Sequence, residues 1–232
     1  MMMTKAVRTA TFRQGDVERE LYVGYDVLIL FMVVLLNSFL AFQFFQDPSM
    51  SQDVISIAVF QMLTGVGGLA LGFVVNRRTI KIQFPTKERI NETYIYGPMF
   101  ASVVMMVDVL LSNAMGQSFL EYLSSFNVNI PLVAGVVEEA FISLVVTMLL
   151  YKIFAVVARG TPMGDLMAMF IAAVFSGIFF ALFHLYVYRD MTNILIMLFI
   201  NRIIYSFVFL KYRNFSMVVM MHIFHNAIVL FM

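Results

Sequence analysis

Apolar residues in this chain gather into runs that a water-soluble fold has little use for. Seven stretches, 22–45, 54–75, 98–116, 131–157, 166–188, 191–210 and 214–232, are mostly apolar. Each is close to the ~20 residues a helix needs to cross a ~30 Å hydrocarbon core. Inside lipid no water serves the backbone, so each amide and carbonyl must be bonded within the protein, and the helix does this for a run of that length. The reading is an all-α, polytopic transmembrane helical bundle of about seven spans. The stretch 77–97, with Arg77, Arg78, Lys81, Lys87, Glu88, Arg89 and Glu92 among Ile80, Ile82, Phe84 and Ile90, reads as an interfacial amphipathic segment broken at Pro85. The loop 117–130 is read as room for a short second one.

Composition agrees: 62% of residues are hydrophobic and 12% charged, against about 45–50% and 25% in soluble domains. No Ser/Gly-rich or Pro-rich linker divides the 232 residues, so 1–232 reads as a single membrane domain. A net charge of +1 gives no concentrated basic surface for nucleic acid. The absence of cysteine excludes disulfides, thiolate metal sites and Cys nucleophiles. The first twenty residues, with Lys5, Arg8, Arg13, Asp16, Glu18, Arg19 and Glu20, are charged throughout, unlike a signal peptide, so the first apolar run is expected to stay as an anchor.

Lys5, Arg8, Arg13 and Arg19, the 77–89 cluster, Lys152, Arg159, Lys211 and Arg213 all fall on the side of the N-terminus. The opposite loops carry Arg189 beside Asp47, Asp53, Glu121 and Asp190. The positive-inside rule therefore predicts a cytoplasmic N-terminal segment, 1–21, and a C-terminus outside. Gly65, Gly67, Gly68 and Gly72 lie inside an apolar run, where a small-xxx-small spacing predicts close helix packing rather than a dinucleotide loop. Met105–Met106 and Met217–Met221 are read as lipid-facing or packing residues.

Ionisable groups at membrane depth cost about 2.5–3.5 kcal/mol each on insertion scales, so their default reading is a functional site. They are Asp26, Asp108, Glu138, Glu139, His184, Arg202, His222 and His225, with Asn226 alongside; Asp26, near an end, is read as interfacial. At 1.5 Å per residue Glu138 lies ~10 Å below the outer end of its helix, His184 ~7 Å, Asn226 ~9 Å and His222 ~15 Å. Three helices thus bring polar groups to one layer in the outer half of the bilayer. His222 and Asn226, four apart, share a helix face, whereas Glu138 and Glu139 are about 100° apart, so one can face a cavity while the other faces a neighbouring helix. His225 and Asp108 are read as structural, Asp108 as a hydrogen-bonding group between helices.

"VEEAFIS" (137–143), "FALFH" (180–184) and "HIFHN" (222–226), in that order on three late helices, resemble the motifs EExxxR, FxxxH and HxxxN/D of the CPBP intramembrane proteases, the CAAX prenyl protease and bacteriocin-processing family. The resemblance covers roughly 131–232. It implies a glutamate-dependent endopeptidase, needing neither cofactor nor metal, that cleaves a membrane-associated peptide or protein. Glu138 with His184 would activate water, His222 and Asn226 would hold the oxyanion, and Phe180 stands at the Phe of the second motif. A carboxylate in a low-dielectric cavity is a better base than in water, and donors fixed on one helix face suit a developing oxyanion.

One position departs from the pattern: the Arg of the first motif is Ser143, followed by Leu144. Glu139 then loses its cation and is not counted as catalytic. Arg202, the one deep cation besides the histidines, is expected to pair with Glu139 or Glu138 in its place. Two alternatives stand beside the protease. One is a non-catalytic accessory or scaffold subunit of a membrane assembly, marked by the Arg-to-Ser change. The other is a zinc protease using Glu138, His184 and His222, although no HExxH is present. A channel or transporter lacks support, with neither inverted repeats nor paired broken helices visible. The outer-half depth suits a substrate approached from outside or laterally better than a cytosolic prenylated tail.

Overall fold

In a computed structural model of the chain, residues 8–14, 17–23, 25–46, 54–76, 91–116, 131–158, 163–185, 188 and 191–231 are described. Among the described residues seven helical rods follow one another: α1 (Tyr25–Gln46), α2 (Val54–Asn76), α3 (Gly97–Ala114), α4 (Pro131–Phe141) running on into α5 (Met148–Val157), α6 (Gly164–His184), α7 (Thr192–Tyr212) and α8 (Phe215–Phe231). Each lies within a few residues of an apolar run. Thr93–Ala114, Gly135–Val157, Gly164–His184 and Thr192–Tyr212 are long and apolar enough to cross a membrane; Val27–Phe39, Thr64–Asn76 and Phe215–Ile228 are shorter apolar helices among the described residues. The outward faces carry Leu28, Met32, Leu36, Met106, Leu110, Phe170 and Leu182, as a lipid-facing surface does. Met105, Met217 and Met221 are buried, so the methionine runs divide between lipid and core.

Three details depart from the sequence reading. Residues 77–90 and 117–130 lie outside the described residues, but 91–97, read as the end of an interfacial segment, is a π-helical turn (Asn91–Tyr96) leading into α3. The third span is therefore longer than 98–116. The N-terminal segment contains an antiparallel hairpin, β1 (Arg8–Gln14) with β2 (Val17–Val23), in which Arg8 faces Val23 and Gln14 faces Val17. The rod from Pro131 to Val157 is interrupted by a wide π-helical turn at Ile142–Thr147, immediately after the two glutamates.

That turn is buried throughout and is held from α2. Widening a helix changes which amide each carbonyl meets, and Asn76 Nδ2 donates both to Leu144 O, in the turn, and to Gly72 O, each at 2.7 Å. The glycines of α2 permit the approach: a Cβ on Gly68 would stand 2.8 Å from the backbone carbon and oxygen of Ala140, while one on Gly67 would meet nothing within 4 Å. Gly68→Ala should therefore cost about 3 kcal/mol, the upper end for overpacking, because backbone rather than a side-chain tip must move. Gly67→Ala should unfold at the wild-type temperature. Thermal unfolding of the two variants in detergent checks the pair, and equal stability would contradict the packing. On the far side, Gly177 lets α7 approach α6, since a Cβ there would lie 2.8 Å from Phe199 O. The helix that carries the glutamates is itself packed between α2 and α8.

Candidate active site

Glu138 and Glu139 occupy the last turn of α4 before the wide turn, and the 100° between them sends them to different surroundings. The Glu139 side chain is fully buried, whereas that of Glu138 keeps 28% of its exposure. Arg202 Nη1, reaching from α7, donates to Glu139 Oε1 at 2.6 Å, and Nη2 donates to Ser143 Oγ at 2.7 Å. Ser143 Oγ in turn donates to Glu139 Oε2. The expected substitute cation is therefore in place, with Glu139 rather than Glu138 as its partner. The small side chain at 143 leaves room for a guanidinium from another helix and supplies it with an acceptor.

The remaining guanidinium nitrogen is also engaged. Arg202 Nε donates to Ser206 Oγ at 3.1 Å, and Ser206 Oγ donates to Ser176 Oγ at 3.0 Å. Thr147 Oγ1, at the end of the wide turn, lies 2.8 Å from Ser176 Oγ and 3.3 Å from Ser206 Oγ. The ring of Phe180 lies 5.6 Å from the guanidinium carbon. A buried charge is tolerated when it is paired and its donors are used, and this cluster meets both conditions. The hydroxyls of Thr147, Ser176 and Ser206 carry no sequence signal, since single Ser and Thr residues recur in membrane helices without a motif.

His222, on α8, touches both glutamates. Its Nδ1 lies 2.9 Å from Glu139 Oε1 and its Nε2 lies 3.6 Å from Glu138 Oε2. A carboxylate can only accept, so Nδ1 donates to Glu139 and the ring is fixed with Nε2 toward Glu138. Glu139 then receives donors from Arg202 and His222 on Oε1 and from Ser143 on Oε2, whereas Glu138 accepts no hydrogen bond among the described residues. Asn226, one turn further along α8, is half-buried.

His184 ends α6, with Nδ1 2.9 Å from Phe180 O and its ring tilted 50° against that of Phe180, the centroids 4.3 Å apart. Among the described residues no hydrogen bond joins His184 to Glu138. The carbonyl accepts from Nδ1, which leaves the lone pair of a neutral ring on Nε2. Phe180 thus has two roles that spacing alone does not reveal, lying against both Arg202 and His184. No three His, Asp or Glu side chains among the described residues converge as a metal-ligand group.

A second polar group adjoins the first. Asp108, on α3, accepts from Asn201 Nδ2 at 2.9 Å and from His225 Nε2 at 2.9 Å, which makes it the expected bond between helices. Tyr205, absent from the sequence reading, stacks on His222 with centroids 5.4 Å apart and planes 16° apart, and lies 6.2 Å from the His225 ring.

No curated protein and no solved structure matches the chain. Residues 122–228, which hold Glu138, Glu139, His184, Arg202, His222 and Asn226 on α4 and α6–α8, match a family model described as Rce1-like, type II CAAX prenyl endopeptidase Rce1-like. The matched stretch lies in an integral membrane protein and contains all three motifs that resemble the CPBP family, so the family model and the motifs point to the same segment of the chain.

Proposed function

We propose that the protein is an intramembrane glutamate-dependent endopeptidase in which Glu138 is the base. The observation that supports this most is the contrast between neighbours: Glu139 is buried with Arg202, Ser143 and His222, while Glu138 stays partly exposed, 3.6 Å from His222 Nε2. In the proposed reaction Glu138 takes a proton from a water whose oxygen adds to the scissile carbonyl carbon. His184, through Nε2, orients that water. His222, protonated at Nε2, and the Asn226 amide donate to the oxyanion. The carbonyl then re-forms, the carbon–nitrogen bond breaks, and the amine leaves with the proton held by Glu138.

The accessory-subunit reading draws its force from the missing motif arginine, and the pairing of Arg202 with Glu139 supports the protease against it. Comparing membrane-protein termini in cells carrying the wild-type chain or Glu138→Ala tests the proposal. Termini that vanish with the variant are expected, and an unchanged set would favour the accessory subunit.

Sidedness belongs to the same proposal, with the N-terminus in the cytoplasm and the C-terminus outside. The chain has no cysteine of its own, so single cysteines report cleanly. At Ser51 and Ser124 a membrane-impermeant maleimide should react from outside, and at Thr161 only after permeabilisation. The reverse pattern would turn the site toward the cytoplasmic leaflet, where prenylated protein tails lie.

A further inference from the structure

Tyr205 is buried against the proposed catalytic histidine, and its hydroxyl bonds to no group among the described residues. Neighbouring hydroxyls behave otherwise: those of Ser143, Thr147, Ser176 and Ser206 are all bonded. Buried polar groups are nearly always paired, so an orphan beside a reacting centre needs an explanation. The phenol ring is held flat on His222, whose two ring nitrogens face Glu139 and Glu138. On its other side His225 is anchored by Asp108, which also holds Asn201 on the helix that carries Tyr205. The hydroxyl is thereby placed by rigid neighbours while having no bond to give up. Asn201 Oδ1, also without a partner, is an acceptor and has nothing to offer an oxyanion; a phenol does.

We propose that the Tyr205 hydroxyl is a substrate-binding donor, which hydrogen-bonds the carbonyl oxygen of the bond being cut beside His222 and Asn226. This rests on the reading of Glu138 as the base. A donor that is unpartnered at rest and bonded when the oxyanion forms stabilises the transition state more than the resting protein, as catalysis requires.

Tyr205→Phe removes the oxygen and keeps the ring on His222. The test uses the full chain in nanodiscs, with an internally quenched peptide ending in farnesyl-cysteine, two aliphatic residues and methionine as the probe, and Glu138→Gln as the companion. Expected are cleavage by wild type, none by Glu138→Gln, a rate for Tyr205→Phe lowered about a hundredfold, and an unfolding temperature for Tyr205→Phe equal to or above wild type. Cleavage by Tyr205→Phe within twofold of wild type would overturn the assignment and leave Glu138 as the base. A fall in its unfolding temperature of a few degrees would overturn it as well, because the hydroxyl would then be bonded at rest. Full cleavage of the probe by Glu138→Gln would overturn both readings together.

Discussion

Arg202→Ser should leave almost no folded protein, and adding Ser143→Arg to it should bring most of it back. The guanidinium is fully buried and gives its three nitrogens to Glu139, Ser143 and Ser206. Removing one partner of a buried ion pair costs about 3–5 kcal/mol, because the other charge stays behind without water. That is a large share of the roughly 5–15 kcal/mol by which domains are stable. Ser143→Arg alone should be harmful for the opposite reason, since it forces a second cation against one carboxylate. In the double variant the cation returns to α4, four residues after Glu139, which is where the EExxxR pattern places it. The yield of monodisperse protein and its unfolding temperature in detergent read the cycle. A double variant as poor as the two single changes combined would mean that Arg202 does not stand in for the missing arginine.

That exchange is readable in outline because a deep arginine without a partner is so costly that the sequence has to contain one. Apolar run length places the seven rods within a few residues, since the hydrocarbon thickness sets one length for all of them. Where length carries no information, less is legible. The wide turn at Ile142–Thr147 leaves no trace in hydropathy, and Tyr205 is one aromatic residue among many in apolar helices. Position on a helix face brings His222 to Glu138, but cannot foretell that Nδ1 of His184 turns to the Phe180 carbonyl. The hairpin does have a local signal: Gly15-Asp16 joins two runs containing Val, Thr, Phe and Tyr, a pair suited to a two-residue turn, although the charges around it point first to a solvated segment.

Glu138→Gln should remove proteolysis while leaving the fold untouched. The amide has the shape of the carboxyl but takes up no proton at neutral pH, and loss of a positioned base lowers rates by about 10²–10⁴. Stability should be spared, because Glu138 is partly exposed and its contact with His222 is 3.6 Å, longer than a hydrogen bond. Glu139→Gln should behave in the reverse order, leaving the buried Arg202 without its counter-charge and unfolding the protein before chemistry can be read. The two glutamates are neighbours in sequence with opposite expected phenotypes, one lost activity in a stable protein and the other lost protein. The most direct measurement is cleavage of the farnesylated quenched peptide by purified Glu138→Gln in nanodiscs, beside its unfolding curve. The account predicts a wild-type unfolding temperature with cleavage reduced at least a hundredfold; a stable Glu138→Gln that cleaves at the wild-type rate would contradict it.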